Sequence, residues 1–490
     1  MSRAEPTAEV ERKFVPVGEQ PLPDLTGLAQ LGRTTAFDLV ATYYDTIDFD
    51  LTVAHQVVRR RLGGDDEGWH VKLAGTDSEH RREYHAPLGL TRPPAALREL
   101  VAGTLGEQAL LPVAELRTHR VQSELRDSAG GLLAYLCDDR VLATAGEHRQ
   151  AWREAEVELA GGSFDFLEAV TTAFESAGVP WSAEAAKIGQ ALGPALADHE
   201  RQAQGVAGAG RVVLAYLAVQ IGVLQEREAA VLADLPDAVH RSRVATRRLR
   251  SSLRTFAPLF TGDAAARLRA ELGWHAAELG APRDAEVLRD GLLATMDELG
   301  LDPQAPERQL LTERLGEEHA LAHAELARTM ASARYDALHE AMMAFLAAPP
   351  FAAVAAEPAV AELHGLLDRA RGRVARLHAD ALAAPDDLTR WHEVRKAAKA
   401  VRYGAEALVG VLGERAQAHA ALWEAVTDAL GQVQDSVVAR ATVTRLAAEP
   451  AVQGGEAGAF TSLLAHHAER GRLHLARGRQ ALEEALAASL

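Results

Sequence analysis

Residues 8–14 read "AEVERKF" and set Glu9, Glu11 and Lys13 at every second position. In a strand, alternate side chains share one face, so two carboxylates and an ammonium point the same way. Such a face builds no apolar core. It belongs either to water or to a ligand that asks for both signs of charge.

Three later stretches repeat the pattern. "VVRRRL" (57–62) puts Arg59 and Arg61 together, "WHVKL" (69–73) His70 and Lys72, and "REAEVEL" (153–159) Glu154, Glu156 and Glu158. "GGDDEG" (63–68) and "DSAGG" (127–131) read as turns between strands. One charged strand face is ordinarily a solvated surface. Several of them in a barrel line an interior, where the charges must neutralise one another or a ligand. Carboxylates suit Mg²⁺ or Mn²⁺, while guanidinium and ammonium groups bind phosphate oxygens. A metal–polyphosphate complex would satisfy the whole set.

The bulk numbers frame this reading. A chain of 490 residues exceeds one core and calls for two or more domains. With 48% hydrophobic and 25% charged residues it reads as an ordinary globular protein. The polar N-terminus, "MSRAEPTAEVERKF", lacks a signal-peptide core, and no apolar run spans a membrane, so a cytoplasmic protein without membrane contact is expected. The single cysteine, Cys137, excludes an intrachain disulfide and reads as a strand core residue. A net charge of −17 argues against general nucleic-acid binding but leaves room for a local basic site.

Beyond about residue 211 the grammar changes to long Ala/Leu/Arg/Glu segments broken by Pro or Gly, which predicts an all-helical domain. This half repeats itself. "VHRSRVATRRLRSSLRTF" (239–256) aligns with "WHEVRKAAKAVRYGAEAL" (391–408), and "LGAPRDAEVL" (279–288) with "LGQVQDSVVA" (430–439). A shared register over both pairs predicts a duplicated unit with pseudo-two-fold symmetry. Helical spacing puts His240, Arg243, Arg247, Arg250 and Arg254 on one stripe, and His392, Arg395, Lys399 and Arg402 on the other. Like charges at this spacing cost roughly a few tenths of a kcal/mol per exposed pair. A solvated basic face explains one stripe; two copies in register point to a shared anion. Glu406 stands where the first copy has Arg254, and so ends the basic track in the second. Lys396, Arg241 and Arg248 lie off the stripe. His319 and His323 have a zinc-compatible spacing but no third ligand nearby, and read as capping or surface residues.

The first half resembles the CYTH domain, or triphosphate tunnel metalloenzyme: "EVERK" matches its Glu-x-Glu-x-Lys signature, and "RRRLGGDDEGWHVKL" and "WREAEVEL" its arginine, Trp-x-x-Lys and acidic strands. The second half resembles the CHAD domain, a conserved-histidine α-helical domain, on "VHRSRVATRRLR" and "WHEVRKAAKAVRY". The resemblance implies an α+β two-domain protein. An eight-stranded antiparallel β tunnel over 1–197 is followed by a linker over 198–210. An all-α domain over 211–490 then carries repeats over about 211–350 and 360–490.

It further implies metal-dependent hydrolysis of inorganic triphosphate or short polyphosphate. Mg²⁺ or Mn²⁺ would sit on Glu9, Glu11, Glu156, Glu158 and Asp139, with Lys13, Arg59, Arg61, Lys72, Arg120 and Lys187 on the phosphates. Which two of Glu154, Glu156 and Glu158, and which of Asp138 and Asp139, hold metal is left open. The helical residues named above, with Lys396, would bind polyphosphate, and association with polyphosphate granules follows as an expectation; sequence-specific nucleic-acid binding does not. The alternatives are a non-catalytic polyphosphate-binding or targeting protein, a thiamine triphosphatase, or a class IV-type adenylate cyclase.

Overall fold

In a computed structural model the chain forms two compact units, one within Met1–Gly205 and one built from Val206–Phe345 and Pro349–Leu490. Residues 7–74, 80–89, 92–182, 187–203, 207–449 and 458–490 are described.

The first unit is an antiparallel sheet. Its strands are β1 (Thr7–Phe14), β2 (Gln30–Asp45), β3 (Val57–Leu62), β4 (Gly68–Ala74), β5 (His80–Ala86), β6 (Leu111–Arg126), β7 (Leu132–Ala145), β8 (His148–Leu159) and the two-residue β9 (Trp181–Ser182). They lie in the order β5-β4-β3-β2-β6-β7-β8-β1-β9. β1 divides its length between two neighbours, pairing with β5 over Thr7–Val10 and with β8 over Glu11–Phe14. That double pairing joins the first eight strands into a ring, and β9 is a short addition on β1.

Alternation explains which way the ring faces. Phe14, Leu125, Ala134 and Val157 point outward and are covered by helix α1 (Phe164–Ser176) through Leu167, Val170 and Phe174. The Ser163 hydroxyl caps this helix by accepting from the Phe166 amide at 3.2 Å. Helix α2 (Lys187–Ala203) instead packs Ile188, Ala191 and Leu192 on the inward residues Ala41, Tyr43, Leu116 and Val141. An apolar plug thus fills one stretch of the interior, and burying Ile188 and Leu192 stabilises it by about 1.5–3 kcal/mol each. The rest of the interior is left to charge.

The linker expected over 198–210 is shorter in the fold. Asp198–Ala203 continue α2, and Asp198 accepts from His148 Nε2 at 2.8 Å, so the polar run docks by hydrogen bonding. Residues 204–206 lie outside the described residues.

The second unit is helical: α3 (Ala209–Leu232), α4 (Ala238–Thr255), α5 (Ala264–Glu298), α6 (Pro306–Met330), α7 (Ala333–Ala347), α8 (Ala359–Leu382), α9 (Leu388–Ala407), α10 (Glu414–Ala447) and α11 (Gly458–Ala487). α3–α6 and α8–α11 are the two copies, and α7 has no counterpart. Their starts pair reciprocally: the Ala209 amide donates to the Glu357 carbonyl at 2.9 Å and the Ala359 amide to the Ala207 carbonyl at 3.0 Å. Both copies contribute to one core, where Leu292, Met296 and Leu315 meet Val443, Phe460 and Leu463.

Candidate functional site

The ring encloses a cavity of about 270 Å³ lined by Glu11, Lys13, Arg59, Arg61, Lys72, Glu83, Arg120, Glu156, Glu158 and Lys187, among others. Every phosphate-binding residue expected of the barrel lies on it. Each arrives by strand parity: Glu11 and Lys13 from β1, Arg59 and Arg61 from β3, Lys72 from β4, Arg120 from β6, Glu156 and Glu158 from β8. Lys187 comes from the first position of the plug helix α2. The strand order puts β3 and β4 across the ring from β7 and β8, so an arginine–lysine wall faces an acidic one.

The acidic wall is knit by cations. Lys187 Nζ lies 2.5 Å from Glu154, 2.7 Å from Glu156 and 3.0 Å from Asp139. Arg120 donates to Asp139 at 2.7 and 2.8 Å and to Glu156 at 2.6 Å. Lys13 Nζ sits 3.0 Å from Glu156 and 3.5 Å from Glu11. Burial opposes charge on Glu11, Lys13, Arg120, Glu156 and Lys187, but their partners outweigh it. Lys13 and Lys72 hold Glu11 below the usual carboxylate range, and Lys13, Lys187 and Arg120 do the same to Glu156. Glu156, Asp139 and Glu154 in turn raise Lys187. Arg61 differs: burial and the neighbouring Arg59 and Arg120 bring it down to about 10, although Asp66 pairs with it. Arg59, Arg61 and Lys72 outnumber the two carboxylates, Asp66 and Glu83, that pair with them on this wall.

For a divalent cation the donor set fits. Glu11, Glu156 and Glu158 offer carboxylate oxygens that all lie within 4.8 Å of one another, and Asp139, Glu154 and Glu156 form a second such group. The second is the more occupied by Arg120 and Lys187. Register distinguishes the adjacent Asp138 and Asp139, which spacing alone leaves open. Asp139 faces inward and is fully buried, whereas Asp138 points outward to Arg153 at 2.8 Å. The side chain of Glu9 lies outside the described residues.

Sequence reading missed Glu83 on β5. It accepts from or pairs with His70 (2.9 Å), Arg59 (3.6 Å) and Lys72 (3.7 Å). Burial works against its ionisation, but His70, Lys72 and Arg59 lower its pKa strongly. His70, pushed down to about 4 chiefly by burial, also contacts the Asp66 carbonyl at 2.9 Å. Its strand, "HRREYHA" (80–86), carries charge on both faces, so alternation gave no signal for it. With Glu83 added, six carboxylates (Glu11, Glu83, Asp139, Glu154, Glu156, Glu158) meet six cations.

In the helical unit the two stripes meet where α4 packs on α9. Lys399 lies within electrostatic reach of Arg395, Arg247 and Arg243; with burial, they bring it down to about 7. Arg243 pairs with Asp284, and its counterpart Arg395 faces Asp435 while its Nε donates to the Thr427 carbonyl at 3.1 Å. His240 and His392 border the cluster, both lowered first by burial, then by Arg283 near His240 and Lys396 near His392. Lys396 is half exposed and ion-paired with Glu393. Arg250 and Arg254 are exposed on the same stripe, away from this centre. Arg402 departs from the expectation, because Glu406, Glu424 and Asp428 occupy its guanidinium. His319 and His323 bind no third ligand among the described residues; they contact the Pro282 carbonyl (3.0 Å), Asp234 (2.9 Å) and the Val231 carbonyl (2.7 Å), capping the end of α3.

Comparison with known proteins agrees with both halves. The CYTH domain model matches residues 7–180 and the CHAD domain model residues 215–444. The chain is 31% identical over 462 residues to an uncharacterized protein of Mycobacterium tuberculosis, spanning 88% of this chain and 87% of that one. Among solved structures, PptA from Streptomyces chartreusis is similar at 24% identity and a TM-score of 0.46, over 58% of this chain and 100% of its own. The CHAD domain from the plant Ricinus communis is similar at 24% identity and a TM-score of 0.46, over 56% of this chain and 92% of its own. No helix among the described residues is long and apolar enough to cross a membrane.

Proposed function

Since the chain belongs to the proteins that join a CYTH domain to a CHAD domain, we propose that its barrel hydrolyses inorganic triphosphate or short polyphosphate and that its helical unit binds polyphosphate. The observation that carries this is the cavity with an arginine–lysine wall opposite a carboxylate trio. Arg59, Arg61 and Lys72 take the non-bridging oxygens of the phosphate chain. Lys13 and Arg120, each also held by Glu156, reach the phosphoryl group closest to the acidic wall. Glu11, Glu156 and Glu158 would hold Mg²⁺ or Mn²⁺, which supplies neutralisation of the charge that develops on the transferred phosphoryl group. Glu83 steadies the basic wall through Lys72 and Arg59, and Lys187 pairs with Glu154 and Glu156 and helps hold Glu156 ionised. A carboxylate of the acidic wall orients the attacking water and accepts its proton.

The test is phosphate release from inorganic triphosphate with added Mg²⁺ or Mn²⁺. Lys13→Ala and Glu156→Gln are each expected to lose at least about a hundredfold in turnover, and a chelator to abolish it. Binding without phosphate release would instead make the barrel a polyphosphate sensor. Faster release from thiamine triphosphate, or cyclic AMP from ATP, would overturn the substrate.

A further inference from the structure

The internal repeat gives each residue of one copy a counterpart in the other, so departures from symmetry can be read in pairs. Arg250 and Arg402 are such a pair, and their surroundings are opposite in sign. Arg402 Nε donates to Glu406 at 3.1 Å and Nη1 to Thr427 Oγ1 at 3.2 Å; Glu424 pairs with it, and Asp428 stands 3.7 Å away. Glu406 also accepts from Arg248 (2.8 Å) and from the Tyr216 hydroxyl (2.9 Å). At that end of the stripe three carboxylates face the two guanidiniums of Arg248 and Arg402.

In the first copy the positions of Glu406, Glu424 and Asp428 are held by Arg254, Gly273 and Ala277. Gly273 leaves room for Arg250, whose Nη2 lies 3.5 Å from where a Cβ on that glycine would stand. Arg254 follows one turn along α4. Arg269, one turn before Gly273 on α5, and Arg373 on α8 gather around Arg254. None of the four is ion-paired among the described residues; Glu393, which faces Arg373, is already paired with Lys396. Four like charges from three helices repel one another, and that cost is recovered only when an anion lies across them.

Resting on the reading of the helical unit as a polyphosphate binder, we infer that a bound phosphate chain leaves the two-fold centre at one end only. It runs over a subsite formed by Arg250, Arg254, Arg269 and Arg373, while the Arg402 end is closed by its own carboxylates. The centre, around Arg247 and Lys399, seats a few phosphates. The arginine subsite adds affinity only for chains long enough to reach it.

The experiment measures binding of long-chain polyphosphate by the full-length protein against salt. The variant is Arg269→Ala with Arg373→Ala; Arg373 is exposed and Arg269 half-buried. A charge-matched control is Arg328→Ala with Arg472→Ala, which stand 73% and 76% exposed. The arginine variant is expected to lose on the order of tenfold in affinity and to flatten the salt dependence by about two phosphate contacts, as loss of counterion release requires. The control and Arg402→Gln stay within about twofold of the parent. An unchanged arginine variant, or a control that loses as much, overturns the one-ended track. So does a folded Arg402→Gln protein that loses affinity. A parent protein that fails to bind polyphosphate at all overturns the underlying reading, which separates the two failures.

Discussion

Lys399 shares its surroundings with Arg395 on its own helix, Arg243 and Arg247 on α4, and Asp435 on α10. Three cations and burial outweigh the one acid and bring its ammonium down to about 7 in the free protein. A phosphate chain laid beside it reverses the balance and favours the charged form, so binding takes up a proton above pH 7. Affinity for long-chain polyphosphate is therefore full below pH 7 and falls as pH rises through it. The expected loss is roughly tenfold between pH 6.5 and 8.5, since one pKa unit corresponds to about tenfold in an equilibrium constant. Lys399→Arg, whose charge is fixed, flattens the profile; a flat profile in the parent protein would show that Lys399 does not touch the ligand. The spacing of Arg243, Arg247, Arg395 and Lys399 was legible in sequence because a helix turns its periodicity into one face. Glu83 was not, because its strand carries charge on both faces and alternation there singles out no residue. The choice between Asp138 and Asp139 depends on register with β8, where Asp138 finds Arg153 outside and Asp139 faces Glu154 within.

Helix α2 is where element and site are coupled most directly. Its apolar residues fill the barrel interior, and its first residue delivers Lys187 among Asp139, Glu154 and Glu156. Leu192 is fully buried, and Leu192→Ala is expected to cost about 2–5 kcal/mol, lowering the melting temperature by several degrees. Turnover is expected to fall as well, because a loosened plug leaves the acidic wall without its ammonium. Melting unchanged with activity lost would mean that α2 acts through something other than packing. A second element-level test lies in the hairpin after β3. Gly63 has φ of +81°, and a Cβ there would sit 2.5 Å from the Asp38 carbonyl oxygen. Gly63→Ala should therefore cost on the order of 1–3 kcal/mol, read from the urea midpoint, while moving Asp66 off Arg61. Turn composition made this hairpin legible. The extent of α2 was not: "ADHERQA" looks like connecting chain, and it is helix because Asp198 and His199 find His148 and Phe49.

At the scale of the molecule, a net charge of −17 repels polyanions at long range, so the phosphate binding proposed above must be won locally. On the proposed function the barrel does this by interleaving carboxylates with cations, which leaves its interior near neutrality before any ligand binds. The helical unit does it by bringing two basic stripes together across a two-fold axis. Each arrangement is complete within its own unit. Lys13→Ala or Glu156→Gln should therefore abolish phosphate release from triphosphate while leaving retention of long-chain polyphosphate within about twofold. Arg247→Ala with Lys399→Ala should weaken that retention by on the order of a hundredfold and leave triphosphate turnover unchanged, because neither residue borders the barrel cavity. Measured on the same preparations, a loss of both properties in either variant would mean that the two sites depend on one another.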